Sequence, residues 1–95
     1  APAYYDLADL FQEILLPAEV ERGLLAVYWQ DGCTDHHQYM TDLFKPFPDI
    51  YWFLWSLIQR NISTIEFDYY GYGKVKYDNA WKNMDRLRNH YGVNI

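Results

Sequence analysis

Apolar and polar positions recur along this chain with two periods, and the change from one to the other sets the expected architecture. Leu7, Leu10, Phe11, Ile14 and Leu15 return at spacings of three and four, the period of one helix face, behind Asp6 as a cap and ahead of Pro17 as a stop. Leu24-Leu25-Ala26-Val27-Tyr28-Trp29 is a short apolar run bounded by Gly23 and by Asp31-Gly32, which predicts a central strand. Helix spacing resumes with Met40, Leu43 and Phe44 behind Thr34 or Asp35 as cap, and Phe47 can join that face before Pro46 and Pro48 bound it. From Ile50 to Ile58 only Ser56 interrupts the apolar residues, so periodicity allows a strand or a buried helix capped by Asp49, and the aromatic and branched content leans towards a strand.

Ile65, Phe67 and Tyr69 alternate with Glu66, Asp68 and Tyr70, the two-residue period of a strand, and Val75 and Tyr77 alternate in turn with Lys74 and Lys76. Gly71-Tyr72-Gly73 between them invites a bulge within one strand or the turn of a hairpin pairing 64–70 with 74–77. Asp78 or Asn79 then caps a last helix, with Ala80, Met84, Leu87 and Tyr91 as its inner stripe and Gly92 as a left-handed stop.

After the first helix the expected order is strand, helix, strand, strand, helix, the split arrangement of ferredoxin-like folds without a clear last strand. Within it, Tyr70-Gly71-Tyr72-Gly73-Lys74-Val75-Lys76-Tyr77 resembles the third strand of an RNA recognition motif (RRM), whose pattern is K/R-G-F/Y-G/A-F-V-x-F/Y. Gly71, Tyr72, Gly73, Val75 and Tyr77 match it, while Tyr70 and Lys74 depart from it. Asp42-Leu43-Phe44-Lys45-Pro46-Phe47-Pro48-Asp49-Ile50 is similar to the end of that family's first helix, with Pro48 where the family prefers Gly. Ala80, Met84 and Leu87 look like the family's second helix, and Leu25 and Val27 like the inward residues of its first strand. The resemblance implies one α+β, ferredoxin-like (RRM-like) domain over residues 1–95. It would pack an antiparallel sheet on two helices in a core at 24–92, behind an extra N-terminal helix at 1–22.

The resemblance also implies a ligand. RRM sheets bind single-stranded RNA by stacking bases on outward aromatics. Tyr28, Tyr72, Lys74 and Lys76 are the expected contacts, the rings for bases and the lysines for phosphate. Only Tyr72 is aromatic among the family's three usual stacking positions, with Lys74 and Ala26 at the others, so weak or atypical RNA binding is expected and a protein partner for the same face is the alternative.

Composition narrows the picture further. The 95 residues are 51% hydrophobic and 20% aromatic, which suits one globular domain and argues against disorder. The apolar run from Ile50 is too short to span a bilayer, so a soluble domain without membrane contact is expected. Net charge is -5, but residues 74–95 carry Lys74, Lys76, Lys82, Arg86 and Arg88 against only Asp78 and Asp85, so any nucleic-acid contact has to be local. Arg86 and Arg88 are equally well explained as cations near a helix C-terminus. Cys33 is the single cysteine, which excludes an internal disulfide and favours an intracellular setting, nuclear or cytoplasmic.

Catalysis has one foothold. Cys33-Thr34-Asp35-His36-His37, with His90 from afar, offers a thiol, a carboxylate and imidazoles for a thiol- or metal-dependent enzyme centred on Cys33 and His36. Adjacent histidines on a helix point about 100° apart and could seldom share one ion, so a polar helix start beside a free cysteine is the preferred reading. No phosphate-binding loop or dinucleotide fingerprint is present in the sequence, and the expectation is a binding module with no cofactor, no metal and no catalytic residue.

Overall fold

The computed structural model describes residues 2–95 and contains five helices: α1 (Pro2–Ile14), α2 (Ala18–Trp29), α3 (Thr34–Phe44), α4 (Pro46–Ile62) and α5 (Tyr69–His90). Among the described residues there is no β-strand. The expected ferredoxin-like α+β sheet is absent, and the likeness to an RRM fails with it. No face exists on which bases could stack in that family's manner. The chain divides into two compact units, the first ending at Lys45 and the second running Pro46–Ile95, so the division falls inside the segment 24–92.

Each expected strand is a helix or a connector for identifiable reasons. Residues 24–29 complete α2, which Pro17 starts from an extended conformation and whose first turn places Glu19 and Glu21 at the positive end of the helix dipole. Of its apolar run only Leu25 is fully buried, while Leu24, Val27 and Tyr28 are exposed, so the run has one inner face rather than two. Gln30 closes α2 in the left-handed region at φ 52° and donates its backbone N–H to Ala26 O at 3.1 Å.

In the first unit α1 and α2 both pack on α3. The buried face of α3 is polar: His37, Gln38, Thr41 and Asp42 lie inside, whereas Met40, Leu43 and Phe44, the expected inner stripe, are half-buried. Burial of these groups is tolerated because they bond to one another. Gln38 Nε2 donates to Glu21 Oε2 at 2.7 Å and to Asp42 Oδ1 at 3.1 Å. Lys45 Nζ donates to both Glu21 oxygens at 2.8 Å and lies 3.0 Å from Asp42 Oδ1. One ammonium thus holds two buried carboxylates from α2 and α3. Apolar packing comes from Ala8 and Phe11 of α1 and from Leu25 of α2.

His37 joins the remaining pieces. Its Nε2 donates to the Asp31 carboxylate at 2.8 Å, and in the neutral ring Nδ1 accepts from the Tyr4 hydroxyl at 2.8 Å. Trp29 stacks on the imidazole with centroids 4.3 Å apart and planes 9° apart. The hydrogen bond from His37, and secondarily that from Cys33 N–H, hold the Asp31 carboxyl below the usual carboxylate range.

The second unit is an antiparallel pair, α4 and α5, joined by residues 63–68. Pro46 and Pro48 sit in the first turn of α4, where a missing N–H costs nothing, so they open this helix instead of ending the previous one. Asp68, not Asp78 or Asn79, caps α5: its Oδ1 accepts from Gly71 N at 2.9 Å. The segment expected to be a strand or hairpin is therefore the start of a helix of 22 residues. Gly73 lies where the two helices come closest. A Cβ there would overlap Ser56 Oγ and lie 3.1 Å from Ser56 Cβ. Ser56 is itself buried and donates its hydroxyl to Phe53 O at 2.6 Å. Further along, Ala80 and Leu87 are buried, and Asn83 Nδ2 donates to the fully buried Asp49 Oδ2 at 2.9 Å, fixing the start of α4 against α5. Gly92 takes the expected left-handed turn at φ 73°, with Val93 N donating to Leu87 O at 3.0 Å. No helix of the described residues is long and apolar enough to cross a membrane.

Three outcomes in thermal unfolding followed by circular dichroism check this account. Gly73→Ala should destabilise by about 1 to 3 kcal/mol through overpacking, whereas Gly23→Ala, whose Cβ would meet open space, should stabilise by about 0.5 to 1 kcal/mol. Lys45→Met, which leaves Glu21 and Asp42 buried without their cation, should destabilise by about 3 to 5 kcal/mol. Asp31→Asn should lower Tm at pH 7. Because the native carboxyl titrates lower than the unfolded one, the parent's advantage is full above about pH 4 and disappears as pH falls further, so the two melting curves should converge in acid.

Candidate functional site

The α4–α5 pair gathers five aromatic rings around the helix connection. Trp52 and Trp55 stand three residues apart on one side of α4, Tyr69 and Tyr72 three apart on α5, and Phe67 lies in the connector. Trp55 is the hub, with centroids 5.6 Å from Trp52, 5.8 Å from Tyr69 and 5.9 Å from Tyr72, at interplanar angles of 75°, 68° and 75°. Phe67 closes the set at 4.9 Å from Tyr69 and 6.1 Å from Tyr72. Tyr69 is held in place by its hydroxyl, 3.0 Å from Ser63 Oγ, which also accepts from Ile65 N at 3.1 Å. The Trp and Tyr rings are half-buried and Phe67 is exposed, so the cluster reaches the surface.

Rings set edge to face leave some π-faces without a ring partner, and a π-face attracts cations through its negative quadrupole. This chain already uses such faces for cations. Lys76 Nζ lies 5.7 Å from the Tyr72 centroid, and the Arg60 guanidinium lies 5.2 Å from that of Tyr70. Glu66 and Asp68, both exposed, flank Phe67 in the connector and place negative charge beside the cluster.

The four residues expected to contact RNA are distributed differently. Tyr28 belongs to the first unit and lines an open apolar groove of about 280 Å³ with Leu7, Leu10, Phe11, Leu24 and Val27. Tyr72, Lys74 and Lys76 are all in α5. Helical geometry brings Tyr72 and Lys76 together, four residues apart, and turns Lys74 away. Lys74 instead binds both Asp78 oxygens at 3.0 Å, a carboxylate that raises its pKa. A second α4–α5 groove, lined by Phe53, Ser56, Leu57, Arg60, Tyr69, Tyr70, Gly73 and Lys74, has only about 70 Å³, far below the several hundred Å³ typical of ligand pockets. Trp52, Trp55, Phe67 and Tyr69 were not legible as a site in the sequence. Their signal is the pair of three-residue spacings, which has meaning only once residues 50–58 and 69–77 are helical.

The thiol and imidazoles do not converge on a reaction centre. Cys33 is exposed at the N-cap of α3, its Sγ donating weakly to Asp31 O at 3.8 Å. The His36 and His37 rings are 5.5 Å apart at 62°, and His37 is committed to Asp31 and Tyr4. Among the described residues no group of three or more His, Cys, Asp or Glu side chains is placed to hold a metal ion.

Comparison with known proteins gives two partial similarities. A probable ethanolamine kinase A of Dictyostelium discoideum is 38% identical over 40 residues, which are 42% of this chain and 12% of that protein. A probable ethanolamine kinase of Arabidopsis thaliana is 42% identical over 47 residues, 50% of this chain and 12% of that protein. The chain therefore spans about an eighth of the length of the curated relatives it matches. No family profile matches it, and no solved structure does.

Proposed function

We propose that this chain supplies an aromatic ammonium-binding wall to a protein of the ethanolamine-kinase kind. The observation that carries the reading is the five-ring cluster of α4, α5 and their connector. Ethanolamine is a two-carbon amino alcohol whose nitrogen is an ammonium at neutral pH, and aromatic faces are a standard means of holding such a group while leaving its far end free. Two probable ethanolamine kinases share the partial similarities, which supports that ligand over other cations. The reading gives this chain substrate recognition and no chemical step of phosphate transfer.

Exposed apolar surface supports a second, compatible role in protein contact. Phe47, Ile50, Tyr51, Leu54, Ile58 and Ile62 form a helical stripe along α4, and all are exposed. In the proposed setting this stripe is covered by the remainder of an ethanolamine-kinase-like polypeptide, since such a face is costly in water.

Titration of intrinsic tryptophan fluorescence tests the ammonium reading. Ethanolamine has four non-hydrogen atoms, so the ceiling of about 1.5 kcal/mol per atom puts Kd no lower than about 10⁻⁵ M. Saturable quenching by ethanolamine and by tetramethylammonium is expected, with none by uncharged ethylene glycol. Trp55→Ala should weaken ethanolamine binding about 2- to 30-fold, the range spanned by one cation–π contact. Equal responses to ethanolamine and ethylene glycol would overturn the proposal.

A further inference from the structure

Resting on the aromatic-wall reading, we infer that Lys76 is a specificity-determining residue that occupies Tyr72 as a tethered internal ammonium and withholds that ring from an external one. Lys76 lies one turn beyond Tyr72 on α5, is 5% exposed, and places Nζ 5.7 Å from the ring centroid, within the reach of a cation–π contact. Lys74, two residues earlier, shows the ordinary alternative: its side chain is 56% exposed and its ammonium pairs with Asp78 at the surface. Burial of Lys76 therefore reflects its position on the inner side of α5, beside the ring cluster, rather than a general habit of lysines on this helix.

Two ammonium groups repel each other most where water is excluded, and Tyr72 is half-buried. An external ammonium is thereby confined to the Trp52, Trp55, Phe67 and Tyr69 side of the cluster, and its affinity is held down by a charge that never dissociates. The tether keeps binding weak and release easy, and it disfavours ligands that carry a second cation.

Titrations of the protein with tetramethylammonium and with ethanolamine test the inference. Lys76→Met keeps the apolar stem and removes the charge, so tetramethylammonium should bind about 3- to 10-fold tighter, while Lys76→Arg, which still presents a cation to the ring, should change affinity less than about twofold. The gain from Lys76→Met should vanish in a Tyr72→Leu background, and its persistence there would assign the effect to charge alone and overturn the inference. In the parent background Tyr72→Leu should cost less than about twofold. A loss equal to that of Trp55→Ala would make Tyr72 part of the wall, and this readout decides the matter even if Lys76→Met fails to fold. Parent binding that is sensitive to Trp55→Ala but unmoved by Lys76→Met overturns this inference alone. Absence of saturable binding in both the parent and Lys76→Met overturns the aromatic-wall reading and this inference with it.

Discussion

The second unit depends on one steric constraint, the close approach of α5 to α4 at Gly73 and Ser56. With no side chain at 73 and a small hydroxyl at 56, the helices meet at a distance that any Cβ on α5 would prevent. Ser56 turns its hydroxyl back onto Phe53 O, so the contact leaves no unsatisfied donor in the interface. The same approach fixes the relative height of the two helices. It is this height that sets Trp55 within 6 Å of both Tyr69 and Tyr72, because residues 55 and 72 each neighbour the contact pair. A glycine inside a helix costs about 1 kcal/mol relative to alanine, and the two at positions 71 and 73 are offset by the Asp68 cap and by packing with α4. Further along the pair, Asn83 and Asp49 add a polar clamp at the end remote from the rings.

The first unit is organised by a different device. Its central helix, α3, buries a polar face, and the bonds among Glu21, Gln38, Asp42 and Lys45 determine how α2 lies on it. Such an arrangement adds less net stability than an apolar face of the same area, since desolvation of the charges opposes their attraction. It does select one register, because a slip of α2 by a single residue would strand a buried charge. His37 performs the same service for α1 and for the loop before α3, through Tyr4 and Asp31.

Legibility in the sequence followed the strength of local signals. The apolar stripe of α1, the helix over 34–44 and the last part of α5 could be read from spacing, and Ala80, Leu87 and Gly92 have the roles their pattern suggests. The residues 24–29, 50–58 and 65–77 could not, because Val, Ile, Tyr and Trp favour strands in isolation and nearly every position from 50 to 58 is apolar. Weaker signals pointed correctly to helices: Glu19 and Glu21 after Pro17, Pro46 and Pro48 ahead of Asp49, and Asp68 three residues before Gly71. The octapeptide from Tyr70 to Tyr77 carries its glycines for a helix crossing, and a pattern of glycine and aromatic residues alone does not separate that use from a strand of an RRM. Tyr72 and Lys76 were identified as a pair of interest and do meet, but through helical spacing, which also removes Lys74 from their company.

The central claim is that the rings around Trp55 form a cation-binding wall. The chain has four tryptophans, 29, 52, 55 and 81, whose indole N–H resonances are separable reporters in a two-dimensional NMR titration with ethanolamine. The account predicts saturable shifts confined to Trp52 and Trp55, with Trp29 and Trp81 unmoved. Shifts at Trp29 or Trp81 of equal size, or none at Trp55 up to the solubility limit of the ligand, would contradict it.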